Sequence, residues 1–424
     1  MKKYLLFILL INTFLFGQPG RHKHDYIPNF IKLEPTIIVI PTIDSTLTVF
    51  YLYHIPYDQL IFEKDGNSFV ASERILVEIQ KDDDLVARDF EDRKIVVDDF
   101  TLTQSRSASL EGYMKFDLET EEYTVKGTIS DLNSAKDISL LPKKIDGTKS
   151  FKEGIFNPIV VDFLNGNCSE NNSPLVVNQN GSIPFGPQNY QLVIPIADTT
   201  VENITVKIKN NDQELPEELI NKSYISSITL GDCDHSIFLQ KDNQLEQTRN
   251  FVLKNFSYKL KEGIARVTVT IDSVREREFS MAVTWFDKPF SLRNPEVAIE
   301  MLKYIEKDEV ISKLLDADEE KYPEELLQYW KQFDPTPQTE YNELMDEYYS
   351  RIDYATKEFS DISRKPGAST DRGKIYIKYG KPDKIERASN SLGYVVETWT
   401  YNKLNQKFLF VDKQGTGNFI LVEE

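Results

Sequence analysis

From Thr46 onward the chain alternates apolar and polar residues with the two-residue period of β-strands. In TLTVFYLYHIP, Leu47, Val49, Tyr51 and Tyr53 fall on one face, and Phe50 and Leu52 are apolar on the other. RILVEIQ, RKIVVDDF, EGYMKFDL and EEYTVKGTIS follow, separated by Asp-Gly, Asp-Asp and Ser-rich turns. Short strands at this spacing predict an antiparallel sandwich that closes near Leu141-Pro142, before the linker KKIDGTKS. From Phe151 to Phe286 the pattern repeats. NITVKIKN sets Ile204, Val206 and Ile208 against Thr205, Lys207 and Lys209. IARVTVTID sets Ala265, Val267, Val269 and Ile271 against Ile264, Arg266, Thr268 and Thr270, and REFSMAVTWF continues the alternation. Two consecutive immunoglobulin-like sandwiches are expected.

At Pro289 the period lengthens. Asn294 is placed to cap a helix that has Pro295 at its first position. PEELLQYWKQF predicts a short helix with Leu326, Leu327, Trp330 and Phe333 on one face. Tyr341, Leu344, Met345, Tyr348, Ile352, Ala355 and Phe359 form the core stripe of a longer helix, capped by Thr336 or Thr339. KIYIKYG, VVETWTY, QKFLFVD and NFILVEE then read as strands, with DKQGTGN as a hairpin turn. The expected organisation is multidomain. An export signal occupies 1–17, a flexible segment 18–35, one β-sandwich module 36–148 and a second 149–288. A helical segment with a small α+β unit on an antiparallel sheet occupies 289–424.

The signal reading rests on Lys2 and Lys3, followed by an apolar run from Tyr4 to Phe16 that is too short to span a bilayer. Removing those two lysines takes the formal net charge from −18 to −20. So acidic a chain is not expected to bind nucleic acid, and no later apolar run reaches membrane-spanning length. In an exported chain, Cys168 and Cys233, the only two cysteines, suggest one disulfide. The His22–His24 cluster could catch a metal ion but is expected to be solvated, and no metal or cofactor is expected. The Asp82–Asp84 and Asp98–Asp99 runs lack the ligand spacing of a calcium loop and read as solvated turns.

The stretch GASTDRGK invites a phosphate-loop reading, but five residues separate Gly367 from Gly373 and Ile375 follows Lys374. It also fails as a nucleophile elbow, because Asp371 stands where the second glycine belongs. His54 and His235 are expected to be ordinary surface or edge residues. The residues predict a structural corner instead: Gly367 lets the chain leave the long helix, Thr370 or Asp371 caps the turn into Gly373, and Ile375, Tyr376, Ile377 and Tyr379 form a buried strand.

This corner, with DPTPQTEYNELMDEYYSRIDYATKEF before it and IYIKYGKPDKIE, ETWTY and KFLFVD after it, resembles the GWxTD domain. That family closes the carboxyl end of exported proteins of Bacteroidota and related bacteria, behind β-rich segments, and the likeness runs from about Leu292 to Glu424. The name-giving motif maps to Gly367, Ala368, Ser369, Thr370 and Asp371, with Ala368 at the tryptophan position. Arg372, Gly373, Tyr376, Tyr379, Gly380, Pro382 and Asp383 follow the family pattern. The resemblance brings no established activity.

With no catalytic constellation in the sequence, the first expectation is a non-enzymatic, exported scaffold or interaction protein of the cell envelope, periplasmic or on the cell surface, with a protein partner. A second is a carboxylate-based hydrolase of glycan or peptide, which would need two inward-facing acids with raised pKa in one pocket. Pairs such as Glu217-Glu218 and Glu319-Glu320 are candidates in type only. A third is a polysaccharide or small-ligand binding module that uses Tyr348, Tyr349, Trp399 or Tyr401 as a stacking platform.

Overall fold

The computed structural model describes residues 33–42, 46–106, 108–134, 136–163, 173–233, 236–242, 245, 247–360 and 366–423. The expected signal segment, His22–His24, Cys168 and His235 lie outside them.

The doubled apolar faces of Leu47–Pro56 have a direct cause. This strand pairs with Thr36–Pro41 on one side and Ser109–Leu118 on the other in a three-stranded antiparallel sheet, and it is itself buried on both faces. On one face Val39, Leu47, Val49, Tyr51 and Ile55 meet Ala71, Ile75, Val77, Val125 and Ile129 of a second sheet. That sheet is built around Ser68–Lys81, with Asp84–Val97 along one side and Glu122–Asp131 along the other. On the opposite face Ile38, Ile40, Phe50 and Leu52 meet Ile159, Val161, Val193, Leu230 and Leu239 of the segment that follows. The two β-rich segments therefore share a continuous apolar interior.

The second segment departs from the plain sandwich expected. Ile159–Asp162, Leu175–Val176, Ser236–Asp242, Ser223–Cys233, Thr248–Leu253 and Gln191–Ile196 close into a six-stranded barrel. Ser223–Cys233 makes this closure feasible by dividing its length between two neighbours. Ser223–Ser226 pair with Thr248–Phe251, and Ser227–Cys233 pair with Ser236–Asp242. Alternate barrel residues, Val160, Leu192, Ile194, Phe251 and Leu253, pack on Val206, Val267, Val269 and Met281 of another sheet. Those last four belong to Ile204–Asn210, Gly263–Ile271 and Arg275–Thr284. The inward faces are the ones that the alternation in NITVKIKN and IARVTVTID predicts.

One buried group breaks the apolar pattern of the first core. Glu73 shares the inward face of its strand with Ala71 and Ile75, is only 2 % exposed, and lies directly across from the equally buried Asp131. Its Oε1 has no hydrogen-bond partner. Burial, and then the Asp131 charge, push its carboxyl up to about 7 from an ordinary 4.5, against the opposing pull of the Ile61 amide and Lys136. The folded chain therefore holds a proton that the unfolded chain has lost between about pH 4.5 and pH 7. This contribution to stability is complete below the lower value and disappears as pH rises through the upper one. Glu73→Gln is expected to leave the melting temperature unchanged near pH 4. At pH 8 it should stabilise the chain by roughly 3 kcal/mol. A gain that is equal at both pH values would refute the protonated state.

Trp285, just beyond the last strand of the second segment, packs edge to face with Tyr341 and is tilted against Phe185. This aromatic contact joins the β-layers to a helical core. Asn294 caps the Pro295–Met301 helix through its side-chain oxygen, as expected. In Tyr322–Lys331 the buried face is Leu326, Tyr329 and Trp330, whereas Leu327 and Phe333 are exposed. The long helix, Glu343–Glu358, is capped by Asn342 rather than by Thr336 or Thr339. Thr336 instead donates to the Glu343 carboxylate (2.6 Å). Met345, Tyr348, Ile352 and Ala355 are buried as the stripe predicts, Tyr349 joins them, and Leu344 is exposed. The carboxyl end is a four-stranded antiparallel sheet in sequence order, Lys384–Ser389, Val395–Tyr401, Gln406–Asp412 and Ile420–Glu423. Among the described residues no helix is long and apolar enough to cross a membrane.

Candidate functional site

The segment expected to run as a strand from Lys374 to Tyr379 is a helix, Asp371–Tyr379, preceded by a 3₁₀ turn at Gly367–Ser369. Two features win over the β-propensity of Ile-Tyr-Ile. Thr370 is a helix cap: its Oγ1 accepts from the Gly373 amide (3.1 Å) while its hydroxyl donates to the Gly367 carbonyl (2.7 Å). Arg372, Ile375, Tyr376 and Tyr379 then fall at helical spacing on one inward side. Of the two capping residues expected, Thr370 takes the role. Asp371 Oδ2 accepts from the Leu421 amide (3.1 Å) and ties the new helix to the last strand.

The two motif glycines are needed for contact. A Cβ on Gly367 would lie 2.1 Å from the Ala355 carbonyl oxygen of the long helix, and one on Gly373 would lie 2.0 Å from the Gly367 carbonyl oxygen. Three backbone segments therefore touch where any side chain would keep them apart. Ala368 is buried in the helical core, and Ser369 Oγ lies 3.2 Å from the Tyr304 hydroxyl.

Arg372 carries the charge of the segment inward. The residue is 7 % exposed, and its guanidinium sits between the rings of Phe419 (4.0 Å) and Phe359 (5.2 Å). It donates to the Gly417 carbonyl (3.2 Å) and lies 3.6 Å from the Glu397 carboxylate. Glu397, 1 % exposed, also accepts from the Trp399 indole (2.6 Å) and from Arg387 (2.7 Å). Burial pulls the Arg372 guanidinium below its ordinary value, and the Glu397 charge opposes that pull. Nearby, burial works to raise the Asp412 carboxyl, but the amides of Gly417, Gln414, Thr416 and Gly415 outweigh it and hold it below the ordinary range. These amides form the hairpin turn expected from DKQGTGN.

The other signature residues close the same unit. Tyr376 stacks on Tyr354 (4.6 Å) and Tyr379 on Phe408 (5.2 Å). Tyr401 donates to the Gly380 carbonyl (2.8 Å), Pro382 is buried, and Asp383 accepts from the Asn402 amide (2.6 Å). Sequence reasoning missed Glu397, Phe359 and Phe419 as the surroundings of Arg372. The signal was present in ETWTY, where an acid alternates with Trp399 and Tyr401 on the apolar face of a strand.

Residues 267–422 match the sequence model of the GWxTD domain. This carboxyl-terminal part of the chain carries a GWxTD domain. No curated protein sequence matches the chain. Among solved structures it is similar to the C-terminal domain of the Streptococcus pyogenes antigen I/II-family protein AspA. The identity there is 9 %, over 59 % of this chain and 100 % of that one, at a TM-score of 0.15. It is also similar to the structure described as manganese lipoxygenase of Gaeumannomyces graminis with partial zonadhesin of Komagataella pastoris. That likeness has 12 % identity over 59 % and 93 % of the two chains, again at 0.15. At such scores neither likeness defines a shared architecture. The GWxTD match begins earlier than the resemblance did, taking in the second half of Gly263–Ile271 and all of Arg275–Thr284.

The remaining candidate residues lie elsewhere in the fold. Tyr348, Tyr349, Trp399 and Tyr401 are buried, so the stacking platform expected from them is not on the surface. Glu217 and Glu218 pair with Lys207 (3.0 Å) and Lys259 (3.5 Å), while Glu319 and Glu320 are exposed. A cavity of about 400 Å³ is lined by Arg106, Asp287, Lys288, Phe290 and Asp353 among others. Burial raises the Asp353 carboxyl there, but its oxygens accept from the amides of Phe290 and Ser291, fixing the turn at Phe290–Leu292. His54 is half-buried, 3.1 Å from Glu111. Asp82 and Asp83 form the exposed turn between two strands.

Proposed function

We propose that this GWxTD-domain protein is a non-enzymatic, exported scaffold or interaction protein of the cell envelope, periplasmic or at the cell surface. One observation carries the reading. The polar groups of the signature segment are turned onto the chain's own backbone and ion pairs: Thr370 onto Gly367 and Gly373, Asp371 onto Leu421, Arg372 onto Gly417 and Glu397. A segment spent in this way builds a docking unit at the end of a stack of β-layers. The layers, immunoglobulin-like in this reading, act as spacer and partner surface. Residues 1–17 direct export and are removed. Cys168 and Cys233 are bonded, closing a loop of about 65 residues, worth about 4 kcal/mol.

Crosslinking followed by mass spectrometry on intact cells tests this. The expected result is crosslinks from surface lysines to an envelope protein, on a chain whose amino terminus begins near Gln18. Recovery of the full-length chain from the cytoplasm, without envelope crosslinks, would overturn it.

A further inference from the structure

The Lys384–Ser389 strand ends its sheet, with Val395–Tyr401 as its neighbour and no strand on its outer side among the described residues. All six of its residues are exposed. Ile385 is directly across from the fully buried Trp399, so it lies on the face the helices cover elsewhere, yet it is 51 % exposed. An open strand edge presents a row of backbone donors and acceptors that another strand can pair with.

We propose that this edge pairs with the same edge of a second copy, joining two four-stranded sheets into one across a two-fold axis. An axis perpendicular to the sheet makes the paired strands antiparallel and sets residues of the same face against each other. Centred on Ile385, the pairing brings Ile385 against Ile385 of the second copy. On the opposite face Lys384 meets Glu386 of the second copy, and Glu386 meets Lys384. On the Ile385 face Asp383 and Arg387 meet in the same reciprocal way. Centring on Lys384, Glu386 or Arg387 instead would set that charge against itself. The sequence DKIER (383–387) is therefore complementary to its own reverse about one residue. Within one copy Lys384 already reaches Glu386 (2.7 Å), so both side chains lie on the face where the second copy's pair would join them.

An edge of this length buries less than the roughly 1,200 Å² of a standard stable interface, so the dimer is weak and depends on concentration. Sedimentation velocity on the mature chain from about 10 µM to 1 mM should show a growing dimer. Glu386→Lys acts twice through the symmetry, placing a lysine opposite Lys384 on each side, and should weaken the dimer at least tenfold. The double variant Lys384→Glu/Glu386→Lys restores opposite charges and should restore the dimer. Both positions are exposed, so matched thermal melts will establish that all variants fold. A monomer throughout the range, a dimer indifferent to Glu386→Lys, or a double variant that fails to recover would each overturn the proposal.

Discussion

Glu397→Leu is expected to destabilise the carboxyl-terminal unit by about 3–5 kcal/mol, the cost of removing one partner from a buried ion pair. The loss has two parts. Arg372 is left charged between Phe359 and Phe419 without its nearest counterion, keeping only the weaker influence of Asp412, and the Trp399 indole loses its acceptor. Arg387, largely exposed, can turn to water, so Arg387→Ala should cost less than about 1 kcal/mol. Adding Arg372→Met to Glu397→Leu removes the stranded cation and should recover most of the stability, because a well-packed apolar pair replaces ions at little net cost. The check is denaturant unfolding followed by tryptophan fluorescence. A single-variant loss below about 1 kcal/mol, or a double variant worse than the single, would show that the Arg372–Glu397 pair is not what holds the helix to the sheet.

Gly367→Ala should cost about 3 kcal/mol or more, at the upper end of overpacking, although it adds a single methyl group. The atoms it would strike are backbone: the Ala355 carbonyl oxygen at 2.1 Å, then Phe359 and Ser360 at 2.7 Å. None of these can step aside without moving the end of the long helix. Gly393→Ala is the control, since a Cβ there would meet nothing within 4 Å and its cost is limited to the strain of a positive φ. A melting temperature for Gly367→Ala no lower than that for Gly393→Ala would refute the close contact.

Where elements lie was largely legible in the sequence; what each one packs against was less so. Strict alternation in NITVKIKN and IARVTVTID named the inward residues because each of those strands has one wet face. Leu47–Pro56, apolar on both faces, carried the clue that it was an interior layer, but alternation alone does not say what covers the second face. The barrel was not legible, since closure depends on one strand changing neighbours at Ser227, a fact of pairing and not of composition. In the signature, Ile375, Tyr376 and Ile377 favour a strand locally. The cap at Thr370 and the spacing of Arg372, Ile375, Tyr376 and Tyr379 favour a helix, and tertiary packing decides for the helix. That the segment is a corner and not a phosphate cradle follows from its spacing alone. Its role as the seat of a buried ion pair needed the third dimension, because Glu397 is 25 positions away from Arg372.

The strands Thr36–Pro41 and Leu47–Pro56 have no face of their own to give to water. A chain cut near residue 148 would keep most of the first core, losing Phe156, but strip the cover from Ile38, Ile40, Phe50 and Leu52. Such a fragment would carry an apolar plate ready to aggregate. The two β-rich segments are therefore bound to unfold together, and contacts far apart in sequence must form before either is secure. A topology this rich in non-local pairing is expected to fold slowly.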